Sequence, residues 1–383
     1  MPLVPRATAA DQSNSGVVFG DRFMLKIFRV IEEGPNSELE FGRFLGARDF
    51  AGTPRMAGSI EYQRRTGEAG TFATLFELVP NQGDAWQLAL DSVGRFYDRV
   101  LADDKRPETP PDVDGLLIEQ ARRTMSDQIV DWIGPFLDRI RLLGVRTAEL
   151  HLQLASDPND PLFTPEPYDI MHQQSIYGSA IAHTARTFDL VRTRLRTLTP
   201  EQRELAETVL AREGDLDRVF ARITKRRLDG LRIRTHGDYH LGQVLWTGDD
   251  FKIIDFEGEP GRPLSQRRFK RNALRDVAGM LRSLRYASAA GLRSGRHRPE
   301  DATRLEPWAK AWTRWTSAAF LGGYLERAQG TRIVPRTDAD LGLLLEFFLL
   351  EKCVYEIGYE INNRPEWAEI PLRALLELIG GAG

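Results

Sequence analysis

The sequence predicts an α+β chain of two lobes, a small antiparallel sheet followed by a large, mainly helical body. Three observations carry that expectation. The chain has 383 residues, more than a single ordinary domain of ~100–200 residues accounts for. Residues 13–79 alternate β-rich runs with one helical stretch. From residue 84 onward nearly every segment has the 3.6-residue period of a helix, interrupted only by β-rich runs between 231 and 258. "PNQGDAW" breaks the first pattern, so the lobes are drawn at 1–80 and 81–383.

Each element has its own signal. Residues 1–12 show no period and read as a leader. "GVVFG" and "RFMLKIFRVI" form a hairpin turning at Gly20–Asp21, a dipeptide suited to tight turns. "NSELEFGRFLGA" is a helix with Asn36 or Ser37 as its N-cap. "SIEYQR" and "GTFATLFELV" make a second hairpin. Pro80 and Gly83 end its last strand, and Asp84 can cap the helix that follows. "RPETPPDVDG" (106–115) is an exposed connector between helices. Later, "LRIRTHGD" and "FKIIDFEG" interrupt the helices, which return near residue 273. "PWAKAWTRWTSAAF" places Trp308, Trp312 and Trp315 on one stripe, as a core face requires.

Composition narrows the class. Charged residues make up 28% and apolar ones 42%, the balance of a globular protein. A net charge of −3 argues against a nucleic-acid binder. The single cysteine, Cys353, excludes an intramolecular disulfide and favours a reducing compartment. The N-terminus has no basic-then-apolar signal pattern. The most apolar stretch, "LGLLLEFFLLEKCVYEIGYEI" (341–361), carries Glu346, Glu351, Lys352, Glu356 and Glu360, too many charges for a bilayer span. A cytoplasmic protein that uses neither membrane nor nucleic acid is expected.

The chemistry concentrates in "THGDYHLGQVLWTGDDFKIIDFEGEP", residues 235–260. Asp238 is followed five residues later by Gln243, and "FKIID" ends in Asp255 before Phe256. Phosphoryl transfer needs a carboxylate at the acceptor hydroxyl and oxygen ligands that hold magnesium against the phosphates, and this spacing supplies both in order. Two other readings exist. The acids are solvated turn residues, or His236, Asp238 and His240 face one way from an extended segment and bind a metal. No further His/Cys cluster supports the metal triad.

"HGDYHLGQVLWT" together with "IDFEGEP" resembles the protein-kinase-like fold, in its sugar and aminoglycoside phosphotransferase branch, and within that branch the bacterial maltokinases. The likeness runs from Gln12 to about Pro371. It implies ATP and Mg²⁺ as cofactors, Asp238 as catalytic base, and Gln243 and Asp255 as metal ligands. Lys26, in "MLKIF", would meet the phosphates; Glu38 and Glu40 are both near enough to orient it, and the resemblance places that role on Glu40. Ser13, Asn14 and Ser15 fall where the phosphate-covering loop belongs, without a Gly-rich pattern, and Glu77 and Val79 fall at the adenine-reading hinge. His236 and Tyr239 flank the acceptor, and Lys352, Tyr355, Glu356 and Arg364 belong to the segment that lines its pocket. Arg275 and Asp276 open a helix that braces the catalytic loop.

The activity implied is conversion of maltose to maltose 1-phosphate, a glycogen or α-glucan precursor. Glucosamine, glucose or an aminoglycoside are the other acceptors, and a non-catalytic partner domain of trehalose synthase is the reading outside enzymes. Maltokinases carry a cap subdomain before the Gln-Ser-Asn loop, whereas here about a dozen residues precede it. The resemblance therefore implies an excised or separately encoded kinase domain, associated with or fused to trehalose synthase.

Overall fold

The computed structural model describes residues 3–8, 14–63, 65–103, 106–107, 109–259 and 263–380. Five strands form one antiparallel sheet in the order β1-β2-β3-β5-β4: β1 (Pro5–Ala7), β2 (Asn14–Phe19), β3 (Phe23–Phe28), β4 (Met56–Tyr62) and β5 (Gly70–Glu77). Between β3 and β4 lies α1 (Ser37–Gly46), capped by Asn36, whose side chain accepts the Glu38 N–H at 2.8 Å. β1 lies within the stretch expected to be a leader. It pairs Pro5–Ala7 with Phe19–Val17 at the sheet edge, and all three of its residues are exposed, so no apolar alternation marks it in the sequence.

The rest is mainly helical: α2 (Ala85–Ala102), α3 (Leu117–Ala121), α4 (Asp127–Ile133), α5 (Phe136–Leu154), α6 (Ile170–Arg194), α7 (Pro200–Ala211), α8 (Glu213–Ala221), α9 (Leu264–Arg267), α10 (Leu274–Arg293), α11 (Pro299–Ala328), α12 (Asp338–Asn363) and α13 (Glu369–Gly380). Trp308, Trp312 and Trp315 of α11 are buried and meet Trp132 and Phe136, filling the centre of this body. Among the described residues, no helix is long and apolar enough to cross a membrane.

Two short strand pairs carry the site. β6 (Glu166–Pro167) pairs with β7 (Leu231–Arg232), and β8 (Val244–Trp246) with β9 (Phe251–Ile253). "LRIRT" yields only a two-residue strand because Ile233 exchanges both backbone hydrogen bonds with Arg271, at 2.8 Å each, which turns Arg234 inward. The connection between the lobes is pinned to the second pair. Gln82 donates to the Trp246 carbonyl at 2.8 Å, and Trp246 donates back to Gly83 at 2.9 Å. Asp84 then caps α2 through the Gln87 N–H.

Candidate active site

One face of the sheet roofs a cavity of about 410 Å³. Alternation along the strands puts Asn14, Gly16 and Val18 of β2 and Met24 and Lys26 of β3 on that face. Glu77, Leu78 and Val79 close its far end, with Leu245, Ile254 and Phe256 opposite. At the hinge, the Glu77 and Leu78 N–H groups already donate to the Arg55 and Arg22 carbonyls, and the Asn81 side chain donates to the Val79 carbonyl.

The Lys26 ammonium lies among three carboxylates: Glu38 Oε2 at 2.8 Å, Asp255 Oδ1 at 2.5 Å and Glu257 Oε1 at 2.5 Å. Burial alone would lower the Lys26 pKa, but the three acids together hold it well above its ordinary value. Burial pushes Glu38 up to about 7 even with Lys26 beside it, since that lysine is shared with two other acids. Asp255 is also buried, yet Lys26, His236 and Gln243 keep its carboxyl below the usual range. Its backbone is left-handed, with φ +67°, a strained choice for a residue with a Cβ. The strain is held by both oxygens, one against Lys26 and the other accepting the Gln243 amide at 2.7 Å.

Oxygen ligands of Glu38, Asp255 and Glu257 lie within 4.8 Å of one another. This is a hard donor set suited to magnesium, and the lysine ammonium occupies it as a resident cation. Glu257 escaped the sequence reading, though it stands two residues after Asp255 in the same motif. Asn14 donates to it at 2.6 Å and so ties β2 to the loop that carries Asp255.

The catalytic loop is built on Asp276. Its carboxylate accepts the His236 N–H at 2.7 Å, the Gly237 N–H at 3.0 Å and His151 Nε2 at 3.0 Å. Burial opposes ionisation there, but those partners keep the Asp276 pKa low. Gly237 has φ +88°, a backbone that favours glycine, and lets Asp238 project past the loop. Gly279 of α10 brings the loop close: a Cβ there would lie 2.6 Å from the Tyr239 carbonyl. Asp238 remains partly exposed, with Lys352 Nζ 3.7 Å from its Oδ1. Lys352 is buried, which disfavours its charge, yet Asp238 and Glu259 raise its pKa.

Several expected residues lie elsewhere. Glu38, not Glu40, meets Lys26, because residues two apart on a helix point to opposite sides. Glu40 instead forms a buried clamp with Arg234 at 3.0 Å and Arg268 at 2.5 Å, and Arg234 also lies over the Phe41 ring. His236 is buried scaffold: Nε2 meets the Ile254 carbonyl at 2.9 Å and the ring packs on Phe256. Tyr239 borders a small cavity but is itself buried, its hydroxyl 2.8 Å from Thr147 Oγ1. Glu356 is spent on Arg282, whose Nε and Nη2 reach it at 2.9 and 2.7 Å, and it lines no acceptor-side cavity. Arg364 grips Glu360 on the outside of the molecule. Ser15 accepts from Arg29 at 3.2 Å and does not line the roofed cavity. Ser13 lies outside the described residues.

Lys352 and Tyr355 do lie together near the Asp238 loop. With Gly237, Glu259, Arg275 and Glu351 they line the small cavity beside Asp238, which opens on a larger one of about 1000 Å³. Glu259 and Glu351 were not foreseen; Arg275 holds them at 2.9 and 3.6 Å.

A sheet lobe carrying a lysine, a helix acid behind it, and paired loops bearing Asp238, Gln243 and Asp255 define a two-lobe, protein-kinase-like phosphotransferase. The chain belongs to the phosphotransferase enzyme family (APH), whose sequence pattern matches residues 6–258. It is similar to a glucosamine kinase of Mycolicibacterium smegmatis, 25% identical over 378 residues that cover 98% of this chain and 79% of that protein. A glucosamine kinase of Streptacidiphilus jiangxiensis is 24% identical over 387 residues, covering 98% and 73%. Among solved structures, a glucosamine kinase in complex with glucosamine, ADP and inorganic phosphate shares the fold at a TM-score of 0.70, with 21% identity and coverage of 99% and 80%.

Proposed function

We propose that the protein is an ATP- and Mg²⁺-dependent kinase acting on a hydroxyl of an amino sugar, glucosamine being the leading acceptor. The observation that carries the reading is the convergence of Lys26, Asp255 and Gln243 on one wall of the roofed cavity, with Asp238 on the loop that leads to the acceptor side. When bound, magnesium supplies charge neutralisation between the phosphates. Asp255, Gln243 and Glu257 would hold it through oxygens, and Lys26, with Glu38 at 2.8 Å behind it, would be left to meet the phosphates. Asp238 accepts the proton of the attacking hydroxyl, and Lys352, 3.7 Å away, orients its carboxylate.

The choice of acceptor rests on the two glucosamine kinases that match nearly the whole chain. It is also supported by Glu259 and Glu351 beside Asp238, since carboxylates suit an ammonium-bearing sugar. Maltose and trehalose synthase remain expectations of the motif resemblance alone. Incubation with ATP, Mg²⁺ and a panel of glucosamine, glucose, maltose and an aminoglycoside, with products read by mass, tests the reading. A phosphorylated glucosamine formed faster than any other product is expected. Preferred phosphorylation of maltose would restore the maltokinase reading, and absence of any transfer would remove the kinase.

A further inference from the structure

The larger acceptor-side cavity has a charge pattern that glucosamine does not explain. Its inner wall carries Arg186, Arg232 and Lys270. Arg232 and Lys270 share one carboxylate, Glu166, at 2.8 and 2.9 Å. Arg186, exposed on α6, makes no ion pair among the described residues. Arg275 answers Glu259 and Glu351, so Arg186, Arg232 and Lys270 are left with Glu166 and, at Arg232, the charge of Asp169. His172 registers the field: burial and then the charges of Arg232 and Arg271 push it down to about 4, so it stands neutral with Nδ1 3.4 Å from the Arg232 guanidinium. Arg232 and Lys270 are partly buried and share one close carboxylate, and with Arg186 at the exposed edge this excess of positive charge is relieved by an anion.

Size and continuity say what the anion is attached to. At about 1000 Å³ the cavity is at the upper end of pockets that hold drug-sized ligands, more room than one sugar ring needs. It shares Glu259, Arg275, Glu351 and Tyr355 with the small cavity of about 20 Å³ beside Asp238, so a molecule held in the larger cavity borders the Asp238 loop. Leu162 and Phe269, 44% and 54% exposed, give the cavity apolar surface.

We propose that this cavity is a second, anion-binding subsite: it holds a carboxylate or phosphate that the acceptor carries beyond the sugar ring presented to Asp238. The subsite rests on the amino-sugar kinase reading and extends it to a substrate class, amino sugars conjugated to an acidic group. Arg186 and Arg232 offer forked N–H donors and Lys270 a point charge, the usual recognition set for such anions.

Isothermal titration of the full chain in saturating Mg²⁺–ADP compares three probes: 4-carboxyphenyl, 4-phosphonophenyl and neutral 4-carbamoylphenyl β-D-glucosaminide. The better of the two anionic probes should bind about tenfold or more tighter than the neutral one, the size of a charge-assisted hydrogen bond. Which of the two anions it is distinguishes carboxylated from phosphorylated conjugates. In Arg232→Gln/Lys270→Gln that advantage should shrink to about twofold or less. Should the double variant fail to fold by thermal melting, Arg186→Gln, a surface change, should reduce it severalfold. Equal binding of charged and neutral probes, or an advantage that survives these substitutions, overturns the subsite. If glucosamine is phosphorylated while the probes bind equally, the kinase reading stands and the subsite falls. If an anionic probe binds better but glucosamine is not phosphorylated, the subsite stands and the choice of acceptor falls.

Discussion

Beneath the sheet, Glu38, Asp255 and Glu257 converge on the single ammonium of Lys26, whereas beyond Arg275 the cations Arg232 and Lys270 share the carboxylate of Glu166 and Arg186 stands without an ion pair among the described residues. Gln243, Asp255 and Phe256 line the first cavity and Glu259 the second, and the two have opposite needs. The donor side has acid to spare and is completed by a cation, as a metal–nucleotide site must be. The acceptor side has base to spare once its acidic corner is passed. A kinase that keeps these fields apart can bring an anionic donor and a charged acceptor together without either cavity competing for the other's ligand.

The largest break in this arrangement should come at the junction. Asp238→Asn removes the proton acceptor while leaving the donor cavity intact. The turnover number should fall by about 10²–10⁴-fold, with nucleotide affinity, measured by titration calorimetry, essentially unchanged. Loss of nucleotide binding in step with turnover would mean that Asp238 belongs to the donor field.

Next in size is a change outside both cavities. Glu356 is buried against Arg282 and lines neither acceptor-side cavity. Glu356→Ala strands a buried guanidinium, at a cost of about 3–5 kcal/mol of folding stability. In protein that still folds, the KM for glucosamine should stay within about twofold of wild type. Denaturant melts and acceptor kinetics together check this; a stable variant with a much weaker sugar KM would return Glu356 to the acceptor wall.

How far the sequence could be read follows from the same contrast. The roofed cavity and the Asp238 loop were legible because their parts sit in short motifs: Asp238 and Gln243 five residues apart, Asp255 at a strand end, Lys26 on a strand of a small sheet. The acceptor wall draws on α6, β7, residues 268–275 and α12, and no local period marks that meeting. Glu356 and Lys352 show the limit within one helix. Four residues apart, they share a face by spacing, yet Arg282 captures one and Asp238 neighbours the other. Glu40 failed for a similar reason. Both it and Glu38 are within reach of Lys26 along the chain, and only the roll of α1, fixed by the Asn36 cap and the Arg234 clamp, separates them.

The donor field can be sharpened by pH. Burial holds the Glu38 pKa at about 7 against 4.5 for the free side chain. Only above about 7 is it an anion able to orient Lys26, so kcat/KM for the nucleotide should climb through that pH. Glu38→Gln should lose the climb and be about tenfold less efficient at pH 8, the weight of one charge-assisted hydrogen bond. Stability moves the other way. The folded carboxyl keeps its proton where the unfolded one has lost it, so its contribution is full below 4.5 and disappears as pH rises through 7. The variant should therefore gain on wild type between pH 5 and pH 8. A wild-type acid limb that persists in Glu38→Gln would assign the titration to another group.

The smallest effect is expected at Arg364. Its guanidinium binds Glu360 through two hydrogen bonds, at 2.9 and 2.7 Å, and lies over the Tyr359 and Trp367 rings, but it is 47% exposed. Water screens a pair so placed, and Glu360 keeps a second partner in the Tyr286 hydroxyl at 3.0 Å. Arg364→Ala should cost about 1 kcal/mol or less. Burial already raises the Glu360 pKa with Arg364 in place, so its removal should move that carboxyl further toward the neutral form rather than unfold the helix end. The KM for glucosamine should not change, because Arg364 lines neither cavity. A rise of tenfold or so in that KM, with an unaltered melt, would carry the acceptor site past the end of α12 and erase the boundary drawn between the acceptor field and the outer surface.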